Sequence, residues 1–356
     1  MTFLKLKSMD LTSYAKNFLS YSVDKHKIYF HRFTDNQLNI YKKDVLFEAM
    51  SLSAAGVYIE FVTNANKLTI NVKKESSMKL ALIGLKNMGL RTILKDVIEA
   101  QKTIKKYGGK PSIREGFDLM VDDKIVDFHH VKAGKIKFKG FNKDRKNITV
   151  RIYLPKYFKV GLEHIKLDGS VMNKTEHKRQ VLCLGDSITQ GFNTKHPSKS
   201  YVALLETKLN VKAYNHGVGG YYYNYETLVD YEHLKNLDLI TVAYGTNDFG
   251  IFNDLQKIKE NIHLYYKRFN QLFKGTKTYV ISPIWRADLD ESDTLDQIRE
   301  FIKKEVSQYD YITYICGKQL IKNETMYYDD GYLHPNDGGF HQMANGIFKI
   351  ISEENT

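Results

Sequence analysis

The second half of the chain alternates short apolar runs with longer amphipathic stretches, and this alternation restricts its fold more than any other feature. The apolar runs predict five strands, at 181–184, 211–215, 237–244, 278–284 and 311–316. The other stretches predict five helices, at 199–209, 225–235, 254–273, 294–308 and 338–352. Strands that alternate with helices form βαβ units around a parallel sheet. Residues 180–356 are therefore expected to form a flavodoxin-like, three-layer α/β/α domain.

The first half has a different pattern, in which apolar and polar residues alternate with a period of two. The clearest examples lie at 57–61, 68–72, 117–121 and 148–154, and turn residues separate them. Many short strands between turns are typical of a β-sandwich of the jelly-roll type, which we expect over residues 1–172. The segment 88–102 is ambiguous. The polar stretch 171–180 is typical of a linker between two domains.

The net charge and the cysteine content indicate which binding partners and which cellular compartment to expect. The 356 residues carry a net charge of +12, but the lysines are scattered and no nucleic-acid-binding motif accompanies them, so we expect no nucleic-acid partner. No apolar run has the length of a signal peptide or a membrane span. Cys183 and Cys316 both lie in predicted buried strands, where reduced thiols are expected. These features favour a cytoplasmic protein without a membrane partner. A separate export route and a homo-oligomer stay open.

The first predicted strand of the second half runs directly into Gly185-Asp186-Ser187, and Gly191 follows four residues after the serine. Open parallel sheets place their ligand sites at the carboxyl ends of the strands, so the Ser187 hydroxyl is expected at such a site. On its own the tripeptide is more typical of an ordinary turn. The catalytic interpretation therefore depends on other segments of the chain.

Three further polar segments, 215–220, 244–248 and 329–336, each follow a predicted strand, and all four segments can converge at one edge of the sheet.

Acyl transfer to a serine needs a base, an acid that orients the base, and donors for the developing oxyanion. The segments supply a candidate for each role. Ser187 would be the nucleophile, His334 the base and Asp330 the orienting acid. The backbone N–H groups of Ser187 and Gly220 and the side-chain amide of Asn247 would form the oxyanion hole.

The four segments together resemble the SGNH or GDSL hydrolase superfamily. The matching residues read Gly-Asp-Ser-Ile-Thr-Gln-Gly, Asn-x-Gly-x-x-Gly, Gly-Thr-Asn-Asp and His-Pro-Asn-Asp, and they fall in this order between about 181 and 352. The resemblance implies an esterase or lipase that uses no metal or other cofactor. It gives the same roles to Ser187, Gly220, Asn247 and His334. A preceding β-sandwich is similar to the two-domain members, several of which resemble carbohydrate esterases that remove acetyl groups from polysaccharides.

One position departs from the family pattern. The aspartate normally stands three residues before the histidine, and Gly331 occupies that position here. A turn that is one residue longer would bring Asp330 to the imidazole of His334. The alternatives are that Asp329 or a backbone carbonyl orients the ring.

Three residues near the same sheet edge are candidates for substrate binding: Trp285, Arg286 and Tyr221. Simple packing is an equally good interpretation of their positions. Taken together, the sequence favours a serine esterase that hydrolyses short-chain, acetyl esters on a glycan or small molecule through an acyl-serine intermediate. The alternatives are a lipase or thioesterase, and a carbohydrate-binding protein whose hydrolase half is inactive.

Overall fold

The computed structural model describes residues 4–75, 99, 101–110, 115–173, 179–234, 236–289 and 293–354. The N-terminal half contains two six-stranded antiparallel sheets. The first comprises β1 (Leu4–Lys7), β3 (Ser20–Asp24), β4 (Lys27–His31), β6 (Lys67–Glu75), β9 (Gly134–Lys139) and β11 (Lys159–Leu167). The second comprises β2 (Ala15–Lys16), β5 (Tyr58–Thr63), β7 (Gly116–Val121), β8 (Lys124–His130), β10 (Ile148–Tyr153) and β12 (Val171–Met172). The strand orders are β3-β4-β11-β6-β9 and β12-β5-β10-β7-β8, with β1 beside β11 and β2 beside β5.

The core of this sandwich consists of the apolar residues that alternate along the strands. Phe61, Ile70, Phe117, Val150 and Ile152 all belong to it and are buried. Each points to the inner face of its sheet because successive side chains of a strand point to opposite sides. The predicted β-sandwich is therefore confirmed.

The outer face of the second sheet is buried as well, where a free sandwich would meet solvent. Tyr58, Met120 and Tyr153 pack there against Ala203, which belongs to the C-terminal half. The two halves of the chain therefore share an apolar contact.

The C-terminal half is a parallel α/β domain, as predicted. Its strands are β13 (Gln180–Gly185), β14 (Lys212–Gly217), β15 (Leu239–Ala243), β16 (Thr278–Ile281) and β17 (Ile312–Ile315), in the order β14-β13-β15-β16-β17. This order is that of flavodoxin-like folds. Within the described residues, the helices with both ends defined are α1 (Asp35–Tyr41), α2 (Val45–Ser51), α3 (Ser187–Gln190), α4 (Tyr201–Leu209), α5 (Asp248–Phe252), α6 (Leu255–Phe273), α7 (Asp293–Val306) and α8 (Asp337–Glu353).

Two local predictions differ from the structure. The predicted helix at 225–235 is wrong, because two short 3₁₀ turns, Tyr225–Thr227 and Tyr231–His233, replace it. Asp230 between them has a φ of 58°, a left-handed conformation that no α-helix continues through. Helices α1 and α2 also interrupt the strand pattern of the first half. Within 88–102, residues 88–98 and 100 lie outside the described residues.

Both cysteines are free thiols, Cys183 buried in β13 and Cys316 half-buried after β17. Among the described residues, no helix combines the length and the apolar character that a bilayer crossing requires. Residues 174–178 between β12 and β13 lie outside the description, so the domain boundary in this stretch stays a prediction.

Candidate active site

The serine of the first motif lies at a sharp turn from strand to helix. Strand β13 ends at Gly185 and α3 begins at Ser187, while the Asp186 carboxylate caps the helix by accepting the Ile188 N–H at 2.9 Å. A Cβ atom at Gly185 would lie 2.0 Å from the Thr189 hydroxyl, so only glycine fits there. As the first helical residue, Ser187 has a backbone N–H without a partner inside the helix.

The side chains of Ser187, His334 and Asp330 form a continuous chain of hydrogen bonds. The Ser187 Oγ lies 2.9 Å from Nε2 of His334, and His334 Nδ1 lies 2.6 Å from Oδ2 of Asp330. With a proton on Nδ1, the ring nitrogen Nε2 faces the hydroxyl as an acceptor. This arrangement suits proton transfer from the serine to the histidine.

Asp330 is held as an ionised acceptor by the loop that carries it. Its Oδ1 accepts the backbone N–H groups of Tyr332, Leu333 and His334 at 3.1, 2.9 and 2.9 Å. Burial would raise its pKa, but the hydrogen bonds from the His334 ring and from the Leu333 and His334 backbone outweigh burial and lower the pKa. The additional residue of the turn, Gly331, has a φ of 83°.

The two ring nitrogens of His334 contact Ser187 and Asp330. No hydrogen bond joins the ring to the Asp329 side chain in the described part of the chain. The backbone N–H of Asp329 instead donates to the carbonyl of His334 at 2.9 Å. The geometry therefore favours Asp330 over Asp329 as the partner of the ring.

The loop after β14 leaves one backbone donor free beside this chain. Four of the five backbone N–H groups between 217 and 221 have acceptors. The N–H of Gly217 donates to Asn215 Oδ1 (3.0 Å), and that of Val218 to the Gly185 carbonyl (2.9 Å). The N–H of Gly219 donates to Gln190 Oε1 (2.7 Å), and that of Tyr221 to the Val218 carbonyl (3.0 Å). Within the described ranges, the N–H of Gly220 has no acceptor. Its φ of 78° is a conformation that suits glycine.

Asn247 lies in the adjacent loop and is half-buried. Its Nδ2 donates to the Tyr221 carbonyl at 2.9 Å, and its distance of 3.5 Å to the Asp186 Oδ2 is too long for a strong hydrogen bond. Because an amide nitrogen carries two hydrogens, one donor stays available for a ligand.

The three predicted substrate-binding residues mainly contact other residues of the protein, and these contacts hold nearby loops and rings in place. Arg286 forms two hydrogen bonds to Asp288, at 2.7 and 3.0 Å, and donates through Nη1 to the Thr246 carbonyl at 2.8 Å. It therefore braces the loop that carries Asn247. The half-buried ring of Trp285 lies 5.3 Å from that of Tyr328.

Tyr221 is only 3% exposed, and its ring stacks on Tyr222 with a centroid distance of 4.8 Å. These two tyrosines form one wall of a groove of about 450 Å³. The opposite wall is formed by α1, α2 and the turn between them, with Ile40, Lys43, Asp44 and Phe47. A Cβ atom on Gly220 would lie 3.6 Å from the Phe47 ring, so this wall of the groove lies beside Gly220.

Two further carboxyl groups near Ser187 have raised pKa values. Burial raises the pKa of Asp186 to about 6, against the opposing effect of the Ile188 N–H. Burial also raises the pKa of Asp248 to about 7. Asp330 differs from Asp186 and Asp248, because it is the one of the three whose pKa is lowered. In the described part of the chain, no three His, Cys, Asp or Glu side chains are arranged to hold a metal ion.

Two residues that hold this site were not predicted. Gln190 accepts the Gly219 N–H and donates through Nε2 to Ser53 Oγ (3.0 Å) and the Lys156 carbonyl (2.9 Å) in the N-terminal half. It belongs to the Gly-Asp-Ser-Ile-Thr-Gln-Gly motif, which could have identified it. The second is Arg32, for which no local sequence signal exists.

Comparisons with known proteins give one family match and several similar folds. The model of the GDSL-like Lipase/Acylhydrolase family matches residues 183–341. No curated protein matches the sequence significantly. Several solved structures are similar over almost the whole chain.

The salicylyl-acyltransferase SsfX3 from a tetracycline biosynthetic pathway has a TM-score of 0.75 at 15% identity, over 99% of this chain and 98% of that one. A family two carbohydrate esterase from Cellvibrio japonicus has a TM-score of 0.63 at 14% identity, over 99% and 98%. An acetyl xylan esterase from Butyrivibrio proteoclasticus has a TM-score of 0.60 at 12% identity, over 99% of both chains. At such identities the similarity shows the shared two-domain fold.

Proposed function

We propose that the protein is a serine esterase that removes acetyl groups from acetylated carbohydrate, and the match of the GDSL-like Lipase/Acylhydrolase family model to residues 183–341 supports this proposal. The observation that carries this proposal is the hydrogen-bonded chain of Ser187, His334 and Asp330. The N–H of Gly220, which has no acceptor in the described chain, supports it. A nucleophile, a base and an oxyanion donor that meet at one sheet edge are what ester hydrolysis through an acyl-serine needs.

In the first half of the reaction, the Ser187 Oγ attacks the ester carbonyl while His334 Nε2 takes the hydroxyl proton. Asp330 stabilises the imidazolium through its bond to Nδ1. The tetrahedral intermediate then expels the alcohol, which takes the proton from Nε2, and an acetyl-serine remains. In the second half, water gives its proton to His334 and attacks the acetyl carbon, so that acetate leaves and the serine is regenerated.

The negative charge on the carbonyl oxygen would be stabilised by the N–H groups of Ser187 and Gly220 and by the amide of Asn247. These donors are held by the surrounding hydrogen bonds before substrate binds. Donors that are already oriented need no reorganisation when the charge develops, and this is a main source of catalysis in such sites.

The groove beside Gly220 supports a carbohydrate leaving group. Its volume of about 450 Å³ is in the usual range of ligand pockets and far exceeds what an acetyl group fills. Tyr222 and Phe47 are half-buried aromatic residues that line it, while Lys43 and Glu226 form an ion pair (2.9 Å) at its exposed rim. Aromatic faces can stack on a sugar ring, and the polar rim can bind its hydroxyl groups. Two of the three similar structures described above are named as a carbohydrate esterase and an acetyl xylan esterase.

The test combines an acyl-chain series with natural polymers. The kcat/KM for p-nitrophenyl esters should fall steeply from acetate to octanoate, and acetate should be released from O-acetylated xylan or mannan fragments, whereas the N-acetyl amides of chitin fragments should react much more slowly. Ser187→Ala should abolish both activities and serves as the control. A kcat/KM that rises toward octanoate would indicate a lipase or thioesterase instead. Glycan binding by the wild-type protein without acetate release would indicate a carbohydrate-binding protein.

A further inference from the structure

A buried arginine of the N-terminal half contacts the loop that carries the free N–H of Gly220. Arg32 follows β4 directly and is 1% exposed. All five of its guanidinium N–H groups have acceptors: the carbonyls of Ser53 (2.9 Å), Asn215 (2.8 Å), Gly217 (2.7 Å) and Met50 (2.8 Å) and the Ser53 hydroxyl (3.1 Å). Among the described residues, no carboxylate lies within ion-pair distance of it.

This environment is unusual for a cation. Buried charges are ordinarily paired with an opposite charge, because removing an ion from water is unfavourable. Arg32 has only neutral acceptors, and burial lowers its pKa to about 9, so it stays charged at neutral pH. Apolar side chains could fill the same space without this penalty. A role beyond fold stability would explain why an arginine occupies the position.

The acceptors of Arg32 show what it holds in place. The Asn215 and Gly217 carbonyls lie at the end of β14, where the loop to Gly220 begins. The peptide unit between Gly217 and Val218 is fixed on both sides. Its carbonyl accepts from Arg32, and its N–H donates to the carbonyl of Gly185, two residues before the serine.

A second connection runs through Ser53. The Ser53 Oγ accepts from both Arg32 Nη2 and Gln190 Nε2, and the other end of the Gln190 amide accepts the N–H of Gly219. The N-terminal half therefore holds the residues that directly precede Gly220 by two routes. Both routes meet at the Arg32–Ser53 pair.

We propose that Arg32 is a positioning residue for the oxyanion hole. Through Arg32, the N-terminal sandwich would contribute to the catalytic activity of the C-terminal domain. The inference rests on the proposed esterase function. Its guanidinium holds the 215–217 backbone so that the Gly220 N–H is aimed at the carbonyl oxygen of the ester. A lysine cannot replace it, because a single ammonium nitrogen has three donors and cannot reach five separate acceptors.

The test compares Arg32→Lys with the milder Ser53→Ala and with a matched control, Arg151→Lys. Arg151 is also a buried arginine of the N-terminal half, but it pairs with Glu60 and Asp123 in the second sheet. The measurements are kcat and KM for p-nitrophenyl acetate, Tm, and the inhibition constant of an alkyl boronic acid. The boronic acid forms a tetrahedral adduct with the serine and so reports on the oxyanion hole.

Loss of a complete oxyanion donor typically lowers kcat about 100- to 1,000-fold. Misplacing one should therefore lower kcat on the order of 10- to 100-fold in Arg32→Lys and a few-fold in Ser53→Ala. Boronate affinity should fall in parallel, while KM changes less than about twofold. Arg151→Lys should lower Tm alone.

Folded variants that keep both kcat and boronate affinity would overturn the positioning role of Arg32. If Arg32→Lys does not fold, the result for Ser53→Ala decides whether the role is kept. An equal loss in Arg151→Lys would also overturn it, because the effect would then be one of general stability. Absence of ester turnover by the wild-type protein would instead refute the proposed function itself.

Discussion

At the scale of single residues, the amide of Asn247 forms a structural hydrogen bond and has a proposed catalytic role, and a substitution can distinguish the two. One N–H ties its loop to the Tyr221 carbonyl at 2.9 Å, and the other is available to the oxyanion. Asn247→Ala removes both, but the residue is half-buried and caps no helix through its side chain, so the fold should persist. We expect kcat for p-nitrophenyl acetate to fall about 100- to 1,000-fold with little change in KM.

The control for this experiment is Arg286→Lys, which disturbs the same loop through the Thr246 carbonyl but leaves the amide in place. It should lower kcat much less than Asn247→Ala does. If the two variants lost the same activity, Asn247 would serve only to hold the loop, and its role as an oxyanion donor would be refuted.

The residues of the site differ in how far the sequence could predict them. Ser187 and His334 could be predicted because strand ends of a parallel sheet share one edge. The choice between Asp330 and Asp329 needed the backbone conformation of Gly331, which brings Asp330 to the ring. Arg32 could not be predicted, since four of its five acceptors are backbone carbonyls and a carbonyl group has no sequence signature.

At the scale of elements, a turn of the N-terminal half is packed against the loop that carries Asp330, the proposed orienting acid. The Lys110 N–H donates to the Asp329 carbonyl at 3.0 Å, and a Cβ atom at Gly109 would lie 2.0 Å from the Asp330 carbonyl oxygen. Gly109→Ala must therefore push the two segments apart. We expect kcat to fall about tenfold or more, because small displacements of catalytic groups have large effects.

The neighbouring glycine provides a matched control. A Cβ atom at Gly108 would meet no atom within 4 Å, although the φ of 71° makes alanine unfavourable there. Gly108→Ala should thus lower the free energy of unfolding by about 1 to 2 kcal/mol without lowering kcat. Equal kcat values for the two variants, each shown to be folded by its Tm, would contradict a coupling between this turn and the Asp330 loop.

The elements of the C-terminal domain were predicted well where their packing is local. All five strands were found, because buried parallel strands are continuous apolar runs. The error at 225–235 has a specific cause. Leu228, Tyr231 and Leu234 are buried at a spacing of three, which suits 3₁₀ turns as well as an α-helix. Helices α1 and α2 were missed, since residues such as Tyr41 pack on the core of the other half.

At the scale of the whole molecule, the two halves meet through carboxyl groups that water does not reach. Glu206 of α4 is 2% exposed and accepts from Asn17 Nδ2 (3.0 Å) and from the Tyr58 hydroxyl (2.9 Å), both in the N-terminal half. Asp118 of β7 contacts His196 Nδ1 at 2.7 Å and accepts the Ser198 hydroxyl at 2.6 Å. Such an interface should respond to pH.

The direction of the response follows from the pKa values. Burial raises the pKa of Glu206 from 4.5 to about 7, against the opposing hydrogen bonds of Asn17 and Tyr58. Between these two pH values the folded protein keeps a proton that the unfolded chain has lost, so the free energy of unfolding falls as pH rises. The hydrogen bond to Asp118 raises the pKa of His196 in spite of burial, and this contribution is also lost as pH rises through the folded pKa.

The variant Glu206→Gln should remove the part of this dependence that Glu206 contributes. The new amide keeps one oxygen for the Tyr58 hydroxyl. Its nitrogen can donate to Asn17 Oδ1, a buried atom without a partner in the described chain, if the Asn17 amide turns over. We expect the Tm of the wild-type protein to fall between pH 4.5 and pH 7, with a further decrease from His196 near and above pH 6.5. The variant should have a flatter profile and the higher Tm at about pH 8.

A measurement of esterase activity can test whether this interface affects the proposed catalytic site. Since Arg32 holds the Gly220 loop only while the halves are in contact, Glu206→Gln should also extend the lifetime of esterase activity at alkaline pH. His196→Gln tests the second pair and should flatten only the part of the profile near and above pH 6.5. A Tm profile of Glu206→Gln that runs parallel to that of the wild type would show that folding does not shift the pKa of Glu206, and would contradict its role in the pH response.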